Sequence, residues 1–358
     1  MKFRAMNPDR ARRRLTGWLV AAGLLAGCSD NPAPAGPVVI RGETMGTVYS
    51  VKISHAADLA HEQIELARRG IDSLLQAVNA QMSCYLKSSE ISRFNYRKKT
   101  DWFLVSAATA RIIEQSLGVS RETGGTFDIT VGPLVNLWGF GPPTTDRRLP
   151  TPEEITRAMA RTGYARIAVR LDPPALKKDN AGVYCDLAAI AKGYGVDEIA
   201  RYLDSAGLSD YLVEIGGEMK ARGRNDRDQV WQIGIETPDG DSGVQKVASL
   251  VNCAMATSGD YRNYFETGGV RYSHLIDPRT GQPIRHRLAS VTVIHDSCWY
   301  ADAMATAINI LGPADGYALA LGKGLAALLV VRTPDGFVER MTPQFESLLA
   351  APAVPSST

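Results

Sequence analysis

The chain has 358 residues, 45% of them hydrophobic, and a formal net charge of +2, enough to bury a sizeable core in one or two globular domains. These figures exclude a fibre, a bundle of membrane spans and a disordered tail. The charge is unevenly spread: residues 1–27 hold six basic side chains against one acid, so the remainder sits near −3 and presents no stripe for nucleic acid.

Lys2, Arg4, Arg10, Arg12, Arg13 and Arg14 precede an apolar run over residues 15–26, which closes on Leu25-Ala26-Gly27-Cys28. A run of about a dozen residues falls short of the roughly 20 that span a bilayer, and it reads as a secretory leader. A cysteine directly after the small-residue site resembles a bacterial lipobox, with Cys28 lipidated, palmitate included, as the first mature residue. The expectation is an exported protein held to a bacterial cell membrane by its acyl chains, with the folded domain in the periplasm. Residues 28–37 follow as a Pro-rich tether.

Structure is expected over residues 38–349. Residues 39–42 and 47–53 predict two strands, the second alternating apolar and polar. Residues 60–82 predict a helix, with Ile64, Ala67, Ile71, Leu74, Leu75 and Val78 on one stripe, and residues 105–122 predict another. Helices near 152–162 and 190–206 come next, then strands around 211–215, 231–236, 247–252 and 290–294. A helix-rich stretch covers 302–321, 326–331 closes as a buried strand, and 350–358 is expected to be disordered. Helices and strands interleave without a fixed period, which predicts a single α+β (mixed α/β) domain. Cys84, Cys185, Cys253 and Cys298 show no metal spacing and suit buried small hydrophobes; their pairing is left open.

Four constellations carry chemical potential. Asp302 and Thr306, at i and i+4 near the start of a helix, put a carboxylate and a hydroxyl on one face, as hard ligands for Mg²⁺ or as an ordinary cap. In Asp186-Leu-Ala-Ala-Ile-Ala-Lys192 a strand is expected to end at Cys185 and a helix to begin with an acid and a lysine, a setting for phosphate or for a plain capped helix. The glycine pairs in Thr123-Gly-Gly-Thr-Phe-Asp128 and Ile215-Gly-Gly-Glu218 allow close backbone approach or positive φ. His274 stands where a short strand meets an Asp-Pro turn, as a base or a structural histidine. Walker, Rossmann, Gly-x-Ser-x-Gly and His-Glu-x-x-His patterns are absent from the sequence.

The order of these pieces resembles the ApbE family of FAD:protein FMN transferases. The matching stretches are Met45-Gly-Thr47-Val-Tyr49, Met82-Ser-Cys-Tyr85 with Ser89 to Asn95, Thr123 to Asp128, Asp186 to Lys192, Glu214 to Glu218, Thr257 to Tyr261, His274 to Pro278 and Asp302 to Thr306. The resemblance implies a Mg²⁺-dependent enzyme that passes FMN from FAD to a threonine or serine hydroxyl as a phosphoester and releases AMP. It implies Asp302, Thr306 and the Ala189 carbonyl as metal ligands, and Met45, Tyr85, Thr126, Phe127, Asp128, Asp186, Lys192 and Ile276 as FAD contacts. His274 would activate the acceptor hydroxyl beside Asp302, and the acceptors would be flavin-bearing subunits of membrane electron-transfer complexes. An FAD pyrophosphatase giving FMN and AMP, or a non-catalytic flavin-binding lipoprotein, would use the same residues.

Overall fold

The computed structural model describes residues 36–56, 59–142, 148–238, 243–261 and 263–349. The leader, Cys28, most of the tether and the 350–358 tail lie outside these residues. Strand β1 (Val38–Thr44) passes into β2 (Thr47–Ile53) through Met45 and Gly46, at φ 50° and 73°, the backbone that a two-residue hairpin turn needs. Helix α1 (His61–Met82) buries Ala67, Ile71, Leu75, Val78 and Met82 at three- and four-residue spacing. Helix α2 (Ala107–Glu122) starts at Ser106, whose hydroxyl accepts from the Thr109 N–H. Then follow α3 (Ala188–Ser205), β3 (Tyr211–Ile215), β4 (Glu218–Arg222), β5 (Ala254–Gly259), β6 (Leu288–His295), α4 (Cys298–Leu311), β7 (Ala326–Thr333) and β8 (Gly336–Met341).

The eight strands form one sheet whose spatial order is the chain order, β1 to β8, each antiparallel to its neighbour. Alternation assigns the two faces. Tyr211, Val213 and Ile215 pack with α1 and α3, and Ala327 and Leu329 share a core with α4. Leu212, Ala326, Leu328 and Val330 face the other way, against Trp231, Ile233, Ile235 and Phe345. That second layer is a hairpin, Trp231–Glu236 paired with Val244–Leu250. Helices therefore cover one face and a small hairpin part of the other, which bears out the α+β expectation. Each buried Val, Leu or Ile contributes about 1.5–3 kcal/mol to this arrangement.

Several expectations are corrected. Residues 183–187 do not join a sheet; the Asn95 amide takes the place of a partner strand, donating to the Cys185 carbonyl at 2.8 Å and accepting its N–H at 2.7 Å. Helix α4 begins at Cys298, so Asp302 sits a full turn inside it and is not a cap. The strand expected at 247–252 runs Val244–Leu250 and gives out before Asn252, which stands at φ 52°. Strand β7 does not close the fold, because β8 pairs along its outer edge. All four cysteines of the described residues are buried and free. Among the described residues no helix is long and apolar enough to cross a membrane.

Candidate active site

Helices α3 and α4 cross at Gly193, where a Cβ would lie 2.5 Å from the Cys298 carbonyl oxygen and 2.8 Å from the Trp299 Cα. Only glycine permits that approach. At this distance the Gly193 N–H donates to Asp302 Oδ2 at 3.1 Å, which ties the carboxylate to the opposite helix. Ser297 gives α4 no side-chain cap. Asp197 of α3 supplies it from across the crossing: Oδ2 accepts the Trp299 N–H at 3.0 Å and Oδ1 accepts from Lys220 Nζ at 2.9 Å.

Asp302 and Thr306 of α4, together with Ala189 and Lys192 of α3, line one side of a cleft of about 600 Å³, a size suited to a small-molecule site. A buried carboxylate, a hydroxyl one turn further on and a carbonyl in the first turn of α3 make an all-oxygen donor set. Among the described residues no three His, Cys, Asp or Glu side chains gather around one point. The oxygen donors themselves would suit Mg²⁺, which binds through one or two carboxylates and keeps its other positions for water and substrate phosphates.

The charges agree. Lys192 pairs with Glu218, the first residue of β4, whose side chain is only 2% exposed. Burial pushes the Glu218 carboxyl up to about 8 against the pull of Lys192, and the Asp302 charge adds to the rise. Burial also raises Asp302, again opposed by Lys192. For Lys192 the two carboxylates outweigh burial and hold the ammonium protonated. Burial thus disfavours holding both acids ionised beside one cation, and a divalent ion at Asp302 would favour their ionised forms. Glu218 reaches this point because Gly216 and Gly217, at φ 57° and 104°, turn β3 directly into β4.

The expected FAD contacts divide. Tyr85, Thr126, Phe127, Asp128, Asp186, Lys192 and Ile276 all line the cleft. Tyr85 is 63% exposed, a ring face open to a flat heterocycle, whereas Phe127, at 3%, is mostly absorbed into the core. Thr126 Oγ1 is buried and has no hydrogen-bond partner, as a ligand-facing hydroxyl would. Asp128 is already engaged: Oδ1 accepts from the Thr130 N–H at 2.7 Å and its hydroxyl at 2.6 Å, and Oδ2 from the Tyr164 N–H at 2.7 Å. Asp186 Oδ1 accepts the Ala188 N–H at 2.9 Å, at the start of α3. Met45 does not line the cleft; its methyl packs 3.1 Å from where a Gly195 Cβ would stand, inside the core.

His274 also lines the cleft, from the turn between the strands Val270–Ser273 and Ile276–Asp277. Its backbone N–H donates to the Asn263 carbonyl at 3.1 Å, and its Nδ1 meets the same oxygen at 3.0 Å. A carbonyl only accepts, so Nδ1 carries the proton and Nε2 is left as the acceptor. Burial holds the imidazole below the ordinary histidine range, so it stays neutral. The loop that offers the Asn263 carbonyl is pinned by Asp260, which accepts from Arg332 at 2.9 and 2.5 Å; the Asp260 carbonyl accepts from Arg271 at 2.8 Å.

Nothing in the sequence alone gives Glu218, Asp197 or the Asp260–Arg332 pair a role. Glu218 and Asp260 stood inside recognised motifs, the glycine turn and Thr257-Ser-Gly-Asp-Tyr261, and were available to be read as more than turn residues. Asp197 and Arg332 carried no signal, since their partners lie 102 and 72 positions away.

The profile of the ApbE family matches residues 45–329. A FAD:protein FMN transferase of Vibrio cholerae serotype O1 is 44% identical over 340 residues, covering 94% of this chain and all of that one. The solved flavin transferase ApbE from Vibrio cholerae superposes with a TM-score of 0.81 at 42% identity, over 88% of this chain and all of the other. The apo form of the Pseudomonas stutzeri flavinyl transferase ApbE gives 0.81 at 39% identity, over 88% and 97%.

Proposed function

The chain belongs to the ApbE family, and from that membership we infer that it is an FAD:protein FMN transferase, an enzyme that moves flavin from FAD to protein. In its finer form the reading has FMN passed as a phosphoester to a threonine or serine hydroxyl, with AMP leaving. The observation that carries it is one cleft whose two walls hold the Asp302–Thr306 oxygen set and a neutral His274 with Nε2 as acceptor.

Asp302, Thr306 and the Ala189 carbonyl would hold Mg²⁺, whose chemistry there is to neutralise pyrophosphate oxygens as a Lewis acid. His274 Nε2 takes the proton of the acceptor hydroxyl, while the Asn263 carbonyl keeps Nδ1–H fixed and the ring in line. The hydroxyl oxygen bonds to the phosphorus of the FMN half, the bond from that phosphorus to the bridging oxygen breaks, and the oxygen leaves on AMP. Lys192, steadied by Glu218, adds positive charge where negative charge gathers. The Thr126 hydroxyl and the open ring of Tyr85 orient the flavin nucleotide. Catalysis is then positioning plus electrostatics. Export and lipidation at Cys28 belong to the same reading, which sets the domain in the periplasm at a membrane face, within reach of flavin-bearing subunits of membrane electron-transfer complexes.

The test incubates the full chain with FAD, Mg²⁺ and solubilised membranes of the source strain, and reads flavin fluorescence of protein bands after denaturation. A band is expected. His274→Ala should cut its formation roughly 10²- to 10⁴-fold with FAD affinity retained, as expected for loss of a general base. A band undiminished in Asp302→Ala would overturn the role given to the oxygen set.

A further inference from the structure

A second groove, of about 720 Å³, opens on the sheet face away from the helices. Its floor is a sheet face, since it takes alternate residues: Ser50 and Lys52 from β2, Leu212 and Glu214 from β3. Its wall takes the consecutive residues 231–234 of the hairpin strand Trp231–Glu236. Consecutive residues, pointing to both faces of a strand, border one groove only where the groove runs along the strand's edge.

Among the described residues, the backbone of residues 231–235 pairs with no strand but Val244–Leu250, in a sheet of two strands. The hairpin's other edge is covered: Ala248 bridges Leu349, and the Ser249 N–H donates to the Leu348 carbonyl at 2.8 Å. Among the described residues, the carboxy-terminal segment thus closes one edge of this hairpin, and no strand pairs with the other along residues 231–235. The open edge leads to the chemistry, because Glu214, Met219 and Gly234 line both groove and cleft.

We propose that the acceptor protein docks here as an extended segment, adding a strand to the edge of residues 231–235 and passing along the groove so that its hydroxyl residue enters the cleft. The proposal rests on the transferase reading, which requires a protein's hydroxyl to reach His274. An unpaired strand is a template for main-chain hydrogen bonds, and the floor beneath it reads alternate side chains. Five residues at about 3.3 Å each give a track of roughly 17 Å. Lys52 and Arg227 balance Glu214 and Asp226 along the groove, which suits a polar polypeptide and not an anionic membrane or nucleic acid.

The experiment compares the full chain with Ser50→Trp, which fills the floor, and Gln232→Pro, which interrupts the edge; neither residue lines the cleft. Solubilised membranes of the source strain are the acceptor probe, titrated with FAD and Mg²⁺ and read by in-gel flavin fluorescence. AMP release from FAD without membranes is followed in parallel. The half-saturating membrane concentration should rise at least tenfold in both variants, with FAD affinity and acceptor-free AMP release within twofold of the parent. An unchanged half-saturation in Ser50→Trp overturns the proposal, whether or not Gln232→Pro folds. Faster labelling by Ser50→Trp would assign the groove to the chain's own amino-terminal segment, and loss of a dimer at unchanged half-saturation to a second copy; each also overturns it. A parent protein that labels nothing sinks the transferase reading itself, a result distinct from a parent that labels and variants that match it.

Discussion

The wall of the cleft that carries Asp302 and Thr306 is two helices in backbone contact, whereas the wall that carries His274 is a run of turns pinned by one ion pair. Backbone atoms at a helix crossing cannot yield to a neighbour as a side-chain tip can, so the first wall is fixed before any ligand arrives. The second depends on the side chains of Asp260, Arg271 and Arg332 and on the Asn263 carbonyl, and can adjust. The division suits the proposed chemistry. The pyrophosphate side meets one substrate and gains from rigidity, while the acceptor side must receive a second macromolecule.

The largest effect should come from breaking the rigid wall. In Gly193→Ala the new methyl meets the Cys298 carbonyl at 2.5 Å, so the helices must part. Alanine would favour the helix by up to about 1 kcal/mol over glycine, but forced overpacking costs about 1–3 kcal/mol, and here the obstacle is backbone, so the clash wins. Asp302 then loses the Gly193 N–H and shifts against Ala189. A misplacement of about 1 Å is enough for roughly a 10²-fold loss of rate. FMN transfer should fall by that much or more, with a lower Tm by calorimetry. Transfer within threefold of the parent would show that the crossing does not set the ligand geometry.

A moderate and directional effect is expected from the adjustable wall. Because burial lowers the His274 pKa, its base form persists below the usual histidine range, and log(kcat/KM) should be flat through neutrality and fall only at more acid pH. Asp260 pulls that pKa upward and Lys192 pulls it down. Arg332→Ala strips Asp260 of its guanidinium, so the bare carboxylate favours the imidazolium more strongly and the acid limb should move to higher pH. Asp260→Asn removes the charge, and the limb should move lower. Both should lose roughly tenfold in kcat at the optimum as the Asn263 carbonyl loosens, a change of about 1.4 kcal/mol. Limbs that move together, or not at all, would mean that the pair supports the fold without acting on His274.

The same contrast explains how much was legible in the sequence. Helices α1 and α2, the β1–β2 hairpin and β3 were readable because their burial repeats with a local period. Asp302 and Thr306 were readable for the same reason, being one helical turn apart. The position of the α4 start was not, since the cap that sets it comes from Asp197 on another helix. Residues 183–187 look like a strand and behave like one, but their partner is the Asn95 side chain, which no strand pattern announces. His274 was identified, yet its tautomer depends on a carbonyl 11 residues away in another loop, and Arg332 is more distant still.

The smallest effect concerns Asp128, where family likeness and local structure give different roles. Likeness makes it an FAD contact; its three hydrogen bonds make it the cap of the turn that follows, as Ser106 is for α2. If the cap is the whole role, Asp128→Asn keeps one acceptor oxygen and loses the charge. Stability should then fall by about 1 kcal/mol, the usual worth of a cap, with KM for FAD within twofold of the parent. If the carboxylate also holds the nucleotide, KM should rise tenfold or more at nearly unchanged Tm, since an unpaired ligand group costs about 1–3 kcal/mol of binding. Thr126 offers the internal control: its buried hydroxyl has no partner in the protein, so Thr126→Val removes nothing from the fold. Any loss of FAD affinity in that variant reports on the ligand alone, and comparing the two substitutions separates a residue that shapes the cleft from one that touches what enters it.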